Sequence, residues 1–267
     1  MSWKPAAAVF IRQLYLLRGS AARVLPLFAW VAVDIVLWGF ITRYLNTVAA
    51  PGFDFVPALL GAVLFWDFFS RVMHGVTTGF LEDVWSRNFL NFFASPLKIS
   101  EYLAGLVLAA TATSAVGLFV MLLLATAVFG LSFAAYGVVL VPLLLVLFLF
   151  GIALGIVGAS VVLRFGPASE WFVWPLPALV SPFAGVFYPL ATLPAWMRGV
   201  AWALPPSYVF EGVRAVVAGG EASWASLAWG ALLAAVYVLL TCLLFARVHR
   251  HVVRTGLLAR YSAESVS

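Results

Sequence analysis

The chain has 267 residues, of which 65% are hydrophobic and only 9% charged, and its mean hydropathy is +1.10. Soluble domains carry roughly a quarter charged residues, so this composition excludes a water-soluble globular protein and reads as an integral membrane protein. The single cysteine, Cys242, excludes an intrachain disulfide and a cysteine-based metal cluster, while the net charge of +5 raises an anionic partner until the charges are placed.

From the N-terminus, Trp3, Phe10, Leu14, Leu17 and Ala21 fall on one helical stripe, and Lys4, Arg12, Arg18 and Arg23 gather on another side. This predicts an amphipathic interfacial helix over residues 1–24. A secretory signal is the rival reading, but basic residues interrupt the apolar run, and the stretch from Leu25 is long enough to span. A hydrocarbon core of roughly 30 Å takes roughly 20 helical residues. Six stretches qualify: Leu25 to Leu45, Val56 to Phe80, Tyr102 to Phe129, Tyr136 to Leu163, a kinked Trp171 to Leu190, and Ser226 to Ala246.

Between the second and third of these lies EDVWSRNFLNFFASPLKISEY, which mixes aromatic and charged residues. Trp85, Phe89, Phe92 and Phe93 recur at helical spacing beside Arg87, Asn88 and Asn91, predicting a short amphipathic helix from Asp83 to Ala94 within region 81–96. Pro96 ends it, and Ser100 stands where the N-cap of the third span belongs. Such a helix either lies on lipid or docks a soluble partner and transmits a push to both flanking spans.

Half of the fourteen prolines fall between Pro175 and Pro206, inside a stretch otherwise as apolar as a span. Proline removes a backbone donor and clashes with the preceding turn, so helices must kink or end here. Pro175, Pro177 and Pro182 would kink the fifth span. Pro189, Pro194 and the Pro205-Pro206 pair break the next stretch, predicting a re-entrant hairpin over 190–214.

Lysine and arginine bias sets the expected orientation. With the N-terminus inside, the cytoplasmic side receives Lys4, Arg12, Arg18, Arg23, Arg87, Lys98, Arg164, Arg247, Arg250, Arg254 and Arg260, and the outside only Arg43, Arg198 and Arg214. Six spans then place both termini in the cytoplasm and the 190–214 hairpin outside. The basic tail RVHRHVVRTGLLAR reads as an anchor on anionic headgroups rather than a nucleic-acid site, and His249 and His251 lack the further ligands that zinc needs.

An ionisable group at mid-bilayer costs roughly 2.5 to 3.5 kcal/mol on insertion scales, so the intramembrane charges call for an explanation. Asp34 lies between Trp30 and Trp38, each four residues away on the same face; Asp67, Arg71 and His74 follow at i, i+4 and i+7. One reading is an internal Asp67–Arg71 ion pair that only holds the bundle together. The other makes Asp34, Trp38, Asp67, Arg71 and His74 a translocation path that touches a polar or anionic headgroup. Glu211 and Arg214 form either an intrahelical salt bridge or, with Tyr188 and Leu193, an outer gate. Gly75 with Gly79, and Gly151, Gly155 and Gly158, mark faces where helices approach closely, within the chain or between copies. Trp171, Trp174, Tyr188, Trp196 and Trp202 read as a headgroup belt or as the wall of a lipid or glycan path.

Two segments, WSRNFLNFFASPLKISEYLAGLVL and SPFAGVFYPLATLPAWMRGVAWALPPSYVFEGVRAVV, resemble the permease subunits of ATP-binding-cassette exporters of the second type, which include polysaccharide, lipid and drug exporters. The first is similar to that family's coupling helix and the start of its third span, the second to its fifth span and extracellular hairpin. The fold class that follows is an all-α integral membrane protein: one permease domain with six spans, an interfacial helix, a coupling helix and a re-entrant hairpin. The resemblance implies a half-transporter in the bacterial cytoplasmic membrane that pairs with a second copy and with separate cytoplasmic ATPase subunits. Those partners, not this chain, would bind ATP and Mg, and Trp85, Arg87, Phe89 and Phe92 would form the ATPase-coupling surface. The cargo would be amphipathic, lipid-linked or drug-like.

A phosphate-binding loop needs a glycine-rich turn ending in Gly-Lys, yet the two lysines, Lys4 and Lys98, follow Trp3 and Leu97. No ATPase, no bound cofactor and no metal are therefore expected in this chain. The alternative is an ion- or proton-coupled secondary transporter using the intramembrane charges. Such folds commonly show two related halves, whereas the prolines here are one-sided. An intramembrane enzyme would need a nucleophile with its base, or a metal set, and neither arrangement is present.

Overall fold

A computed structural model describes residues 3–48, 56–86, 92, 95–131 and 133–257, and among them the chain is helical with no strand. Helix α1 (Trp3–Arg18) is followed by α2 (Ala21–Val48), α3 (Gly61–Trp85), α4 (Ile99–Phe129) and α5 (Leu140–Phe165). Two short helices, α6 (Glu170–Val173) and α7 (Leu176–Ala184), lead to α8 (Ala195–Trp202), α9 (Pro205–Val217) and the long α10 (Trp224–Arg254). Four of the described helical segments are long and apolar enough to cross a membrane: Ala58–Trp85, Ile99–Phe129, Tyr136–Phe165 and Trp224–Arg254. They fall on the second, third, fourth and sixth predicted stretches; the first is one 28-residue helix, α2.

Helix α3 is the centre of the bundle. Phe69, Val72, Met73, Val76 and Phe80 are inaccessible on it, and α5 packs along that face. The close approach comes from the small-residue stripe of α5. A Cβ at Gly155 would lie 2.8 Å from the Met73 carbonyl oxygen, and Thr77 donates to the Gly155 carbonyl at 3.2 Å. The second glycine pair works likewise, since a Cβ at Gly75 would lie 3.0 Å from that of Ala110 on α4. Both stripes therefore serve packing within the chain. Helix α10 packs on α5, while Leu232, Leu239 and Leu240 point outward, as a lipid-facing surface requires.

Three expectations need correction. The fifth stretch ends early: α6 and α7 join through a kink at Trp174 and Pro175, and α7 stops at Gly185 rather than running on to Leu190. The two helices with their kink, from Glu170 to Ala184, reach about 22 Å, short of a hydrocarbon core of roughly 30 Å. The amphipathic helix does not begin at Asp83, because α3 runs on to Trp85 with Leu81, Asp83 and Val84 in its buried phase. Its remaining positions, including the predicted coupling residues Arg87 and Phe89, lie outside the described residues except Ser86, Phe92 and Ser95 onward. Ser100 is not an N-cap: α4 starts at Ile99 after Lys98, whose N–H donates to the Glu101 carboxylate at 3.2 Å.

Helix α1 turns its small residues, not its apolar stripe, to the protein. Ala6 and Val9 are buried against Gly105 of α4 and Gln13 against Gly79 of α3, whereas Trp3, Leu14 and Tyr15 remain exposed. Small side chains allow close helix packing, and the bulky ones are left free for lipid.

Candidate functional site

Among the described residues, three clusters of polar side chains interrupt the apolar bundle. The first closes the end of α3 next to the 86–98 segment. Asp83, fully buried, pairs with Arg12 of α1 and accepts a hydrogen bond of 2.7 Å from the Tyr102 hydroxyl on α4. The Arg12 guanidinium also lies over the Phe92 ring, 5.0 Å from its centroid, and that ring is 5.3 Å from Tyr102. Helices α1, α3 and α4 and the segment between α3 and α4 thus meet at one carboxylate. Trp85, the last residue of α3, is half exposed.

The second cluster lines a cavity of about 550 Å³. One wall is a polar stripe of α3 that starts at Asp67 and ends at Glu82, about 22 Å along the axis. Leu106, Ala109 and Ala110 of α4 form the facing apolar wall, with Gln13 of α1, Trp30 of α2 and Trp174 completing it. Arg71 Nε sits 2.9 Å from Asp67 Oδ2, so the predicted i, i+4 ion pair is formed. The His74 ring packs 5.0 Å from Trp174. Asp34 is one turn beyond Trp30 on α2 but is not among the residues that line the cavity. Trp38 lies elsewhere: it stacks on Phe187 at 5.4 Å, joining α2 to the chain after α7.

The third cluster joins α9 to the turn that ends α7. Arg214 donates to the Gly185 carbonyl at 2.6 Å and to Glu211 Oε1 at 2.8 Å, and the same Glu211 oxygen accepts from the Leu190 N–H at 2.9 Å. Tyr188 donates to the Pro182 carbonyl at 2.7 Å. Leu193 packs with Leu190 and Ala201, and Tyr188 and Met197 cover them. The four outer-gate candidates therefore belong to one unit, in which Glu211 and Arg214 form an intrahelical salt bridge and clamp a turn at the same time.

Sequence reasoning missed the Asp83 cluster and found half of the cavity. A signal for Asp83 was present: it shares the buried phase of Phe80, Leu81 and Val84, where an acid demands a partner. Among the described residues no group of histidine, cysteine and acidic side chains is arranged to hold a metal.

A comparison with curated proteins finds no match. The profile of the ABC-2 type transporter family matches residues 20–218, about three quarters of the chain, and takes in α2 through α9 and two of the three polar clusters almost whole. With its membrane-spanning helices and a family match over most of its length, this chain belongs to the ABC-2 type transporter family, as a multi-pass membrane permease component rather than an ATPase.

Proposed function

We propose that the chain is the translocation subunit of an ATP-driven exporter, working as a pair of copies with separate ATPase subunits that bind ATP and Mg. The observation that carries this reading, beyond family membership, is the meeting of α1, α3, α4 and Phe92 at Asp83. A partner pressing on the 86–98 segment would move three membrane-associated helices together, because an ion pair, a hydrogen bond and a ring contact join them. In this reading Trp85, Arg87 and Phe89 meet the ATPase, and Phe92 passes the displacement inward.

The same reading counts α2 and the broken α6–α7 element as membrane crossings, giving six spans with both termini in the cytoplasm of a bacterial inner-membrane protein. The Gly185–Leu193 turn and α8 then lie on the outer face as the exit gate. The cavity between α1, α2, α3 and α4 is the entry to the path, and the cargo is amphipathic, since a polar stripe faces an apolar wall across it.

Co-purification of the ATPase subunit tests the proposal. Arg87→Ala with Phe89→Ala should abolish its capture and ATP-driven export together, while the permease itself still accumulates in the membrane. Undiminished capture and export would refute the docking assignment.

A further inference from the structure

We propose that the cavity between α1, α2, α3 and α4 binds an uncharged headgroup carrying several hydroxyl or ether oxygens, an inference that rests on the permease reading and specifies its cargo. Ser114 stands halfway along α4, lines the cavity and keeps only 3% of its surface accessible. Its hydroxyl makes no hydrogen bond to any described residue, yet the oxygen is not sealed off, so the surface it keeps opens into the cavity. Buried polar groups are nearly always paired, and one that is not marks a place for a partner from outside the chain.

Elsewhere in the bundle a helical hydroxyl satisfies itself. Thr111, Thr113 and Ser160 donate back to the carbonyl four residues earlier, the usual recourse in apolar surroundings. Ser114 does not, and neither do Ser70 and Thr78 of α3, which line the same cavity and likewise make no hydrogen bond to any described residue. Ser70 and Thr78 are about 12 Å apart along α3. Ala110 faces Gly75 and Gly117 faces Arg71, so Ser114 falls at a level between those two hydroxyls. Each hydroxyl donates or accepts, and a row of three suits a headgroup with oxygens spread over that length.

Charge selects against ionised headgroups. Asp67 and Arg71 pair at 2.9 Å and offset each other, so an ammonium or a phosphate brought beside them would stand at bilayer depth without a countercharge of its own. Glu82, the other acid of the lining, is about 22 Å from Asp67 at the far end of the stripe. Leu17, Leu106, Ala109 and Ala110 give the adjoining hydrocarbon an apolar side. The volume of about 550 Å³ lies within the roughly 300–1,000 Å³ of sites that hold one drug-sized group.

Three fluorescent probes with one dodecyl tail test this: a dodecyl glycoside, a dodecylamine and a dodecyl phosphate, bound to the full-length chain in phosphatidylcholine nanodiscs. The glycoside should bind about tenfold more tightly than either charged probe. Thr78→Val with Ser114→Ala, which changes no charge and little volume, should cost the glycoside about tenfold and leave the amine and the phosphate as they were. Ser70→Ala, a milder change at the other end of the row, should cost the glycoside about threefold, again alone. Failure of the glycoside to exceed both charged probes overturns the proposal. So does a glycoside affinity that these variants leave unchanged, the result expected if the hydroxyls only hold water, and so does an equal effect on all three probes. Binding is read without ATP or an ATPase subunit. Glycoside selectivity without ATP-driven transport in the assembled complex would therefore sink only the permease reading, and transport without that selectivity only this one.

Discussion

The Tyr102 hydroxyl donates to Asp83 Oδ2 at 2.7 Å, joining the first turn of α4 to the last turn of α3 across the segment that separates them. Asp83 also pairs with Arg12, so its carboxylate answers both a neutral and a charged donor in a site with no exposure. Hydrogen bonds to a charged group contribute about 1.5–3 kcal/mol, and Tyr102→Phe should lose that amount. Arg12→Gln removes the countercharge of a fully buried carboxylate and should cost more, about 3–5 kcal/mol. The two losses should not add, because both act on one carboxylate. Denaturant titrations of the two single variants and the double variant in detergent check this; strict additivity would show that the two contacts are independent.

Gly105 sets how closely α1 lies on α4. A Cβ there would sit 2.8 Å from the Ala6 carbonyl oxygen and still nearer to Val9. Overpacking of this kind costs about 1–3 kcal/mol, and here the cheapest relief is to lift α1 off the bundle. Gly105→Ala should therefore increase the labelling rate of a cysteine introduced at Val9, in a Cys242→Ala background, without unfolding the core. No change in labelling would mean that α1 is held by its ion pair rather than by packing.

Much of this architecture is legible in the sequence, and the reasons it is not legible elsewhere are specific. Runs such as Ile99–Phe129 and Tyr136–Phe165 declare themselves because lipid-facing and buried positions are both apolar. The Asp67–Arg71 pair follows from i, i+4 spacing alone. Arg12 and Asp83 are 71 residues apart, and no local pattern connects them. The aromatic residues around Trp85 have helical spacing whether α3 continues or a new helix starts, so only burial places the boundary beyond Asp83. The prolines announced a break, yet its position at Trp174 and Pro175 depends on where α5 delivers the chain.

The turn after α7 depends on Arg214 using two different nitrogens. Nη1 donates to the Gly185 carbonyl and Nη2 to Glu211. Lysine retains the charge but cannot hold both geometries at once, so Arg214→Lys should behave more like a loss than a conservative change. Glu211→Gln keeps an oxygen for the Leu190 N–H and should be milder than Glu211→Ala. Hydrogen exchange at the Leu190 amide reads the difference directly. Protection should fall in the order wild type, Glu211→Gln, Glu211→Ala, and equal protection in all three would show that the turn holds itself.

Phe92 separates docking from coupling. Its ring is engaged on the inner side, 5.0 Å below Arg12 and 5.3 Å from Tyr102, so truncating it should leave a partner's contact surface largely intact while cutting the connection to α1 and α4. A cation over a ring contributes about 0.5–2 kcal/mol, enough to decide whether a small displacement of the segment carries Arg12 with it. In the assembled complex, Phe92→Ala should retain the ATPase subunit and its ATP turnover but lower the cargo moved per ATP. Phe92→Trp, which presents a stronger face to Arg12, should restore it. Loss of the ATPase subunit from Phe92→Ala would instead place this ring on the docking surface itself, and the inward contacts would then be a consequence of docking rather than the route by which it acts.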